Sequence, residues 1–201
     1  MTRVTFGLFR KGVREPGLNL TAAGATFIPP TPMPTATAAV ARYHREGPDR
    51  AMAAMDRSYR SSSYWGQRGT SQAGWAEAMR SCFQTYVDLA QLDPRPAFAI
   101  GLNRDVAFPP DEIGVHVDVV LLDPSGYVGR LALWDKTPLT SLVAARYAAP
   151  AWQALEEELG EGRIAGVEVW HLRSATQMFV SPEQAAFALP EVERILHRLV
   201  L

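Results

Sequence analysis

Cysteine is nearly absent. Cys82 stands alone, which excludes a disulfide framework and a cysteine-based metal cluster. Lysine is almost as scarce, with Lys11 and Lys136 set against 18 arginines. No apolar run reaches the roughly 18 residues that a membrane span needs. The opening MTRVTFGLFRKG lacks the apolar core of a secretory signal. The resulting expectation is a cytoplasmic protein with no membrane partner. Several catalytic signatures are missing as well: the G-x-x-x-x-G-K-[ST] phosphate loop, a G-x-G-x-x-G following a strand, and H-E-x-x-H. Pro124-Ser125-Gly126 has the chemistry of a turn and not of a nucleophile elbow.

What is present suits a folded domain. The 201 residues are 47% hydrophobic and 20% charged, enough to bury a full core. Charge is uneven. Residues 1–60 carry nine basic against four acidic side chains, while the remainder carries eleven against seventeen. A basic first third is a candidate surface for the phosphates of DNA or RNA. The competing reading is an ordinary solvated surface, or a segment that docks on an acidic protein partner.

Residues 1–34 read as an N-terminal extended, Pro-rich arm and 35–201 as a single α/β domain. A short strand is predicted at Val4 to Phe9. Phe27 to Pro34 holds four prolines within six residues, which predicts stiff extended backbone. Helices are predicted over Thr35 to Arg45, Asp49 to Tyr59 and Ser71 to Leu92. In the last of these, Trp75, Met79, Cys82, Phe83, Tyr86 and Ala90 recur at helical spacing. Asp93-Pro94-Arg95-Pro96 stops that helix. Phe98 to Leu102 and Arg104 to Phe108 read as two short strands or one bent strand. Leu139 to Tyr147 reads as a helix that Pro150 kinks or interrupts, and Ala151 to Leu159 continues it. Ile164 to Leu172 is a strand with Met178 to Val180 as its hairpin partner. Ser181 caps a short helix, and Leu189 to Leu201 forms the last. The predicted class is mixed α/β: a small mixed sheet flanked by helices.

The chain is organised around Ile113 to Lys136. Ile113 to Leu122 is rich in Val and Leu, which suit a buried pleated surface. Asp123-Pro124-Ser125-Gly126 is a turn, and Tyr127 to Trp134 is the return strand. Asp118 interrupts the first strand. A carboxylate in such a run pairs with a cation such as Arg130, binds an ion or stays protonated. His116 alternates with it and is a second candidate ligand. Glu168, in Val-Glu-Val-Trp, is a candidate third acid or a solvent-facing residue.

A helix bearing His44 precedes this hairpin. A strand ending at Asp135-Lys136-Thr137 closes it. A helix bearing Tyr147 and the stretch GEGRIAGVEVWHLR follow. Over about Thr35 to Val180 this layout resembles the PD-(D/E)XK nuclease superfamily, in particular its RecB-like exonuclease domains. The resemblance implies a restriction-endonuclease-like core that binds or cleaves DNA or RNA. It implies Asp118, Asp135 and Lys136 as catalytic residues. Asp118, Asp135 and His44 become ligands of Mg²⁺ or Mn²⁺, with Lys136 orienting the attacking water. Two positions depart from the pattern. Trp134 stands where the second acid belongs, with Asp135 one place late, and Val143 stands where a Gln precedes Tyr147.

That displacement matters because side chains alternate faces along a strand. With 123–126 as the loop, Asp118 lies opposite Leu131. His116, Asp118 and Asp135 then share a face, and Lys136 leaves it. With one more residue in the turn, Asp118 shares its face with Trp134 and Lys136, and Asp135 leaves. A bulge near Trp134 restores both. The expected function is a nuclease-fold protein with weakened or lost cleavage. The alternative is a non-catalytic interaction subunit that docks partners through its Pro-rich arm and exposed aromatics.

Overall fold

The computed structural model describes residues 3–6, 9–10, 13, 32–61, 72–134 and 138–200. A six-stranded mixed sheet lies between two helical layers. The strands are β1 (Arg3–Thr5), β2 (Ala97–Phe108), β3 (Asp111–Asp123), β4 (Gly126–Leu133), β5 (Ile164–His171) and β6 (Thr176–Val180). The helices are α1 (Pro32–Glu46), α2 (Pro48–Ser61), α3 (Gln72–Gln91), α4 (Ser141–Leu159) and α5 (Pro182–Val200). The mixed α/β class expected from element order is the one found.

The sheet runs β1-β3-β4-β5-β6, with β2 also on β3. Strands β2, β3 and β4 form an antiparallel meander, α4 crosses over, and β5 lies parallel to β4. Of the two readings of Phe98 to Phe108, two short strands or one bent strand, the second holds: β2 is one strand, with a register shift between Ala97 and Ala99. The β3–β4 turn follows the shorter loop: Leu122 pairs with Tyr127 and Asp123 with Gly126. The Asp123 side chain accepts hydrogen bonds from the backbone N–H and the hydroxyl of Ser125 (3.0 and 2.6 Å), which tightens the turn.

Two expectations are corrected. Helix α1 begins at Pro32, so Pro32 to Pro34 belong to a helix. Proline is compatible with a first helical turn, whose N–H groups have no intrahelical acceptor. The rest of the segment Phe27 to Thr31 lies outside the described residues. In addition, Pro190 lies inside one continuous helix where two had been expected, and Pro150, expected to kink or interrupt its helix, lies inside a continuous one. Packing on the sheet and on each other holds both helices through the proline, outweighing one missing backbone donor. Thr140 caps α4 by accepting from Val143 N–H (3.3 Å). Ser181 and Gln184 exchange bonds at the start of α5 in a capping box.

Each helical layer owns one face of the sheet. Ile113, Val115, Val117, Leu131, Leu133, Val167 and Val169 pack against α4 and α5. Val119, Leu121, Val128, Ala132, Trp134 and Trp170 pack against α1, α2 and α3. Val117 and Val119 therefore face opposite layers although they are two residues apart. A regular strand would put them on the same side. The parity flips at Asp118. Strand β2 flips with it: Ala99 and Leu102, three apart, both pack on the α4–α5 side. Between the pairs Ile100–Val119 and Leu102–Val117, Gly101 lies across from Asp118 with φ +71°.

Gly101 supplies the left-handed backbone that lets both strands turn over together. A Cβ there would meet only His116 Cε1, at 3.9 Å, so steric space is not the obstacle. Gly101→Ala is expected to destabilise the fold by about 1–2 kcal/mol through backbone strain alone. Urea unfolding checks this, and a variant as stable as the parent would show that the kink does not need the positive φ.

Candidate functional site

Strands β3 and β4 part company at the kink. Their ladder runs from Asp123–Gly126 to Val119–Arg130 and stops, while β4 continues along β5 to the pair Leu133–His171. On the same edge of β3, β1 takes residues 112–114. Among the described residues, the stretch 115–118 has neither neighbour. Asp118 closes this fork with its side chain: Oδ2 accepts the Ala132 N–H at 2.8 Å, a donor that a regular ladder would have satisfied with a carbonyl. Asp118 is 5% exposed. Its Oδ1 lies 3.5 Å from His116 Nε2, and neither atom has a hydrogen-bond partner among the described residues.

The sequence allows Asp118 to lie opposite Leu131 or on the face of Trp134. The turn length gives the first register, yet the flip at Asp118 sets its carboxylate toward the helical layer that covers Trp134. The face change among the described residues arises in β3, while β4 alternates regularly from Leu131 to Trp134. Asp135 and Lys136 lie outside the described residues.

Beside Asp118 on this face sits a buried arginine. Arg130, 1% exposed, donates to Glu168 Oε2 from Nε (3.0 Å) and Nη2 (2.9 Å), and it also pairs with Asp93. Its guanidinium carbon lies 3.5 Å from the centroid of the Trp170 ring. Arg95 completes the network, reaching Asp93 (2.7 Å) and Glu168 (2.5 Å). Burial alone would raise the Asp93 carboxyl, but hydrogen bonds from Arg95 and Arg130 hold it well below the usual carboxylate range. Arg130 was the partner proposed for Asp118. It is instead committed to Asp93 and Glu168. Glu168, half-read as a solvent-facing residue, is an interior ion-pair member.

Over this network, His44 Nε2 is 2.7 Å from the Tyr86 hydroxyl. Tyr86 is fully buried and tilted against Trp170, with ring centroids 5.5 Å apart. Burial pushes the Tyr86 phenol up. Burial, helped by the charge of Arg130, lowers His44 to about 4, while Asp118 and Asp93 pull it the other way. His44 and Asp118 thus share one layer interface, but His44 Nε2 is engaged by the Tyr86 hydroxyl. Tyr147 belongs elsewhere. It lies in the core on the α4–α5 side and donates to the Arg10 carbonyl at 3.3 Å.

The resemblance implies two acids around a hard cation. Among the described residues, Asp118 spends one oxygen on Ala132 N–H, and Asp93 and Glu168 are tied to guanidinium groups. No three His, Cys, Asp or Glu side chains converge among the described residues. The described set does not fit an oxygen-rich Mg²⁺ centre, which takes its ligands from carboxylates and water. Sequence reading missed the Asp93–Arg95–Arg130 cluster. The available signal was an arginine inside an apolar strand, which requires a buried counter-charge.

No protein-family model matches the chain, and no curated protein matches it in sequence.

Two outcomes follow from the site. Arg130→Met leaves Asp93 and Glu168 short of a partner and is expected to cost about 3–5 kcal/mol in urea unfolding. A loss below about 1 kcal/mol would show that Arg95 alone satisfies both acids. The second outcome concerns pH. His44 is harder to protonate when folded, so the unfolded chain binds more protons between about 6.5 and about 4. Its contribution is intact above that window and is lost as pH falls through it. The urea midpoint should drop from pH 7 to pH 4.5, and His44→Gln should flatten that slope. An unchanged slope would refute the burial account of His44.

Proposed function

We propose that this protein binds nucleic acid through a RecB-like nuclease core without efficient cleavage. The observation that carries the reading is the pairing of Asp93 and Glu168 with Arg130 and Arg95 on the face that holds Asp118. A fixed guanidinium there supplies the positive charge that a hydrolytic centre would draw from a metal. It also draws both carboxylates into charge-assisted hydrogen bonds, four on Asp93 and three on Glu168. The element order supports the core: a helix, an antiparallel meander, a crossover helix, and a strand parallel to the last of the meander. Exposed Arg45, Arg50 and Arg57 on the α1–α2 layer supply candidate phosphate contacts.

A second reading is favoured by one surface. Leu142, Phe179 and Phe187 are exposed beside β6, the terminal strand of the sheet order, and suit a protein partner.

Purified protein on single- and double-stranded DNA and RNA, with Mg²⁺ and Mn²⁺, is expected to show binding that weakens as salt rises and little or no cleavage. Robust cleavage lost in Asp118→Ala would overturn the non-catalytic reading. Absence of binding at low salt would remove the nucleic-acid reading and leave the protein partner.

A further inference from the structure

The two outer strands of the sheet are built differently. At one end β2 carries several of the devices that blunt a free edge. It turns over at Gly101 and shifts register between Ala97 and Ala99. Its Arg104 is tied to Glu157 and Glu158 of α4, and its Asp105 to Arg3. At the other end β6 carries none of these. Thr176-Gln177-Met178-Phe179-Val180 holds no charge, proline or glycine, and it pairs with β5 without a register shift. Among the described residues its outer edge has no neighbour. Three of the six exposed large apolar side chains gather beside it: Leu142 at the start of α4, Phe179, and Phe187 on α5, which is 90% exposed. They line one groove with Met178 and Val180. An uncharged edge flanked by apolar surface is a template for another strand.

We propose that β6 is a homodimer interface, where two copies of this chain pair antiparallel and join their sheets into one. The strand and its flanks are complementary to themselves. A five-residue strand that pairs along its whole length with its own two-fold copy centres on its middle residue. Met178 then meets the partner's Met178, and Gln177 meets the partner's Phe179. Charge favours the same arrangement. The segment 172–184 carries one basic and one acidic side chain, Arg173 before β6 and Glu183 after it. They lie at equal distances from Met178 along the chain. Antiparallel pairing brings the basic end of each strand to the acidic end of the other, with no like charges opposed. Parallel pairing would set arginine beside arginine. On the α4–α5 side, where Met178 packs, the two Met178 side chains abut. Leu142 and Phe187 of each copy flank them. A strand edge alone buries too little for a stable dimer, which takes about 800 Å² from each partner. Leu142, Phe179 and Phe187 supply the added apolar area.

This inference names the partner for the protein-docking reading of the surface and is independent of the nucleic-acid reading. The test is sedimentation equilibrium of untagged full-length protein from about 1 to about 100 μM, the range of moderate affinities. A dimer is expected. Phe179→Lys puts a charge on the edge and should weaken association about 10-fold or more. Cysteine cross-linking reads the register. Met178→Cys places a thiol at the axis, where opposed Cα atoms stand about 4.5–5.5 Å apart, within disulfide reach. Mild oxidation should link it to the partner's equivalent thiol. Gln177→Cys is a diagonal neighbour of its equivalent, about 7–8 Å away and beyond that reach, and should not link. The natural Cys82 is buried, and the parent protein is the control. Circular dichroism of each variant verifies folding. A monomer at about 100 μM overturns the inference and leaves a different protein as the partner of this surface. Nucleic-acid binding by such a monomer would sink the dimer and spare the nucleic-acid reading. A dimer that Phe179→Lys leaves intact, or linking at 177 in place of 178, overturns the inference as well.

Discussion

A guanidinium with 1% of its surface exposed is the constraint around which one face of this sheet is arranged. Removing such a charge from water is expensive, and a buried arginine persists only where carboxylates meet it with good geometry. Arg130 on β4 meets Glu168 on the adjoining strand and Asp93 from the turn between α3 and β2, with Trp170 beneath its plane. One side chain thereby joins the end of a helix, two strands and an aromatic ring. Arg95 doubles the attachment, so neither acid is left with a single partner. The network fixes where α3 ends relative to the sheet. That in turn places Tyr86 and, through it, His44.

The fork at Asp118 is the second organising feature, and it follows from the two-core architecture. A sheet covered on both faces needs apolar side chains on both faces. Strand β3 supplies them by changing parity part-way along. Residues up to Val117 serve the α4–α5 core, and Val119 and Leu121 serve the other. The change is tolerated because Gly101 turns the neighbouring strand over at the same level. It leaves one backbone donor of β4 without a ladder acceptor, and a carboxylate takes that place. Asp118 therefore has a structural role with one oxygen and an open chemical role with the other.

These features separate two kinds of polar group on the same face. Asp93 and Glu168 are paired with arginine and behave as structural charges. His116 Nε2 and Asp118 Oδ1 are buried without a hydrogen-bond partner among the described residues. A reading from residue types alone would group all four as candidate ligands. Only the hydrogen-bond directions divide them.

Much of the fold was legible in the chain. The spacing of Met79, Cys82, Phe83 and Tyr86 marks α3, the Asp-Pro-Ser-Gly turn marks the β3–β4 hairpin, and Ser181-Pro182 marks the start of α5. These signals are local: periodicity, caps and turn chemistry act within a few residues. The importance of Asp118 was legible too, since an acid in an apolar strand requires an explanation. What tertiary structure decided was its orientation and its company. The alternation rule aims every side chain of a regular strand, but it cannot see a flip shared with Gly101 on another strand. Arg130 finds its acids 37 and 38 residues away, at positions that only helix docking and parallel strand pairing bring together. Local sequence thus determined which elements form. Burial of two cores at once, with the charge pairing it forces, decided which side chains meet.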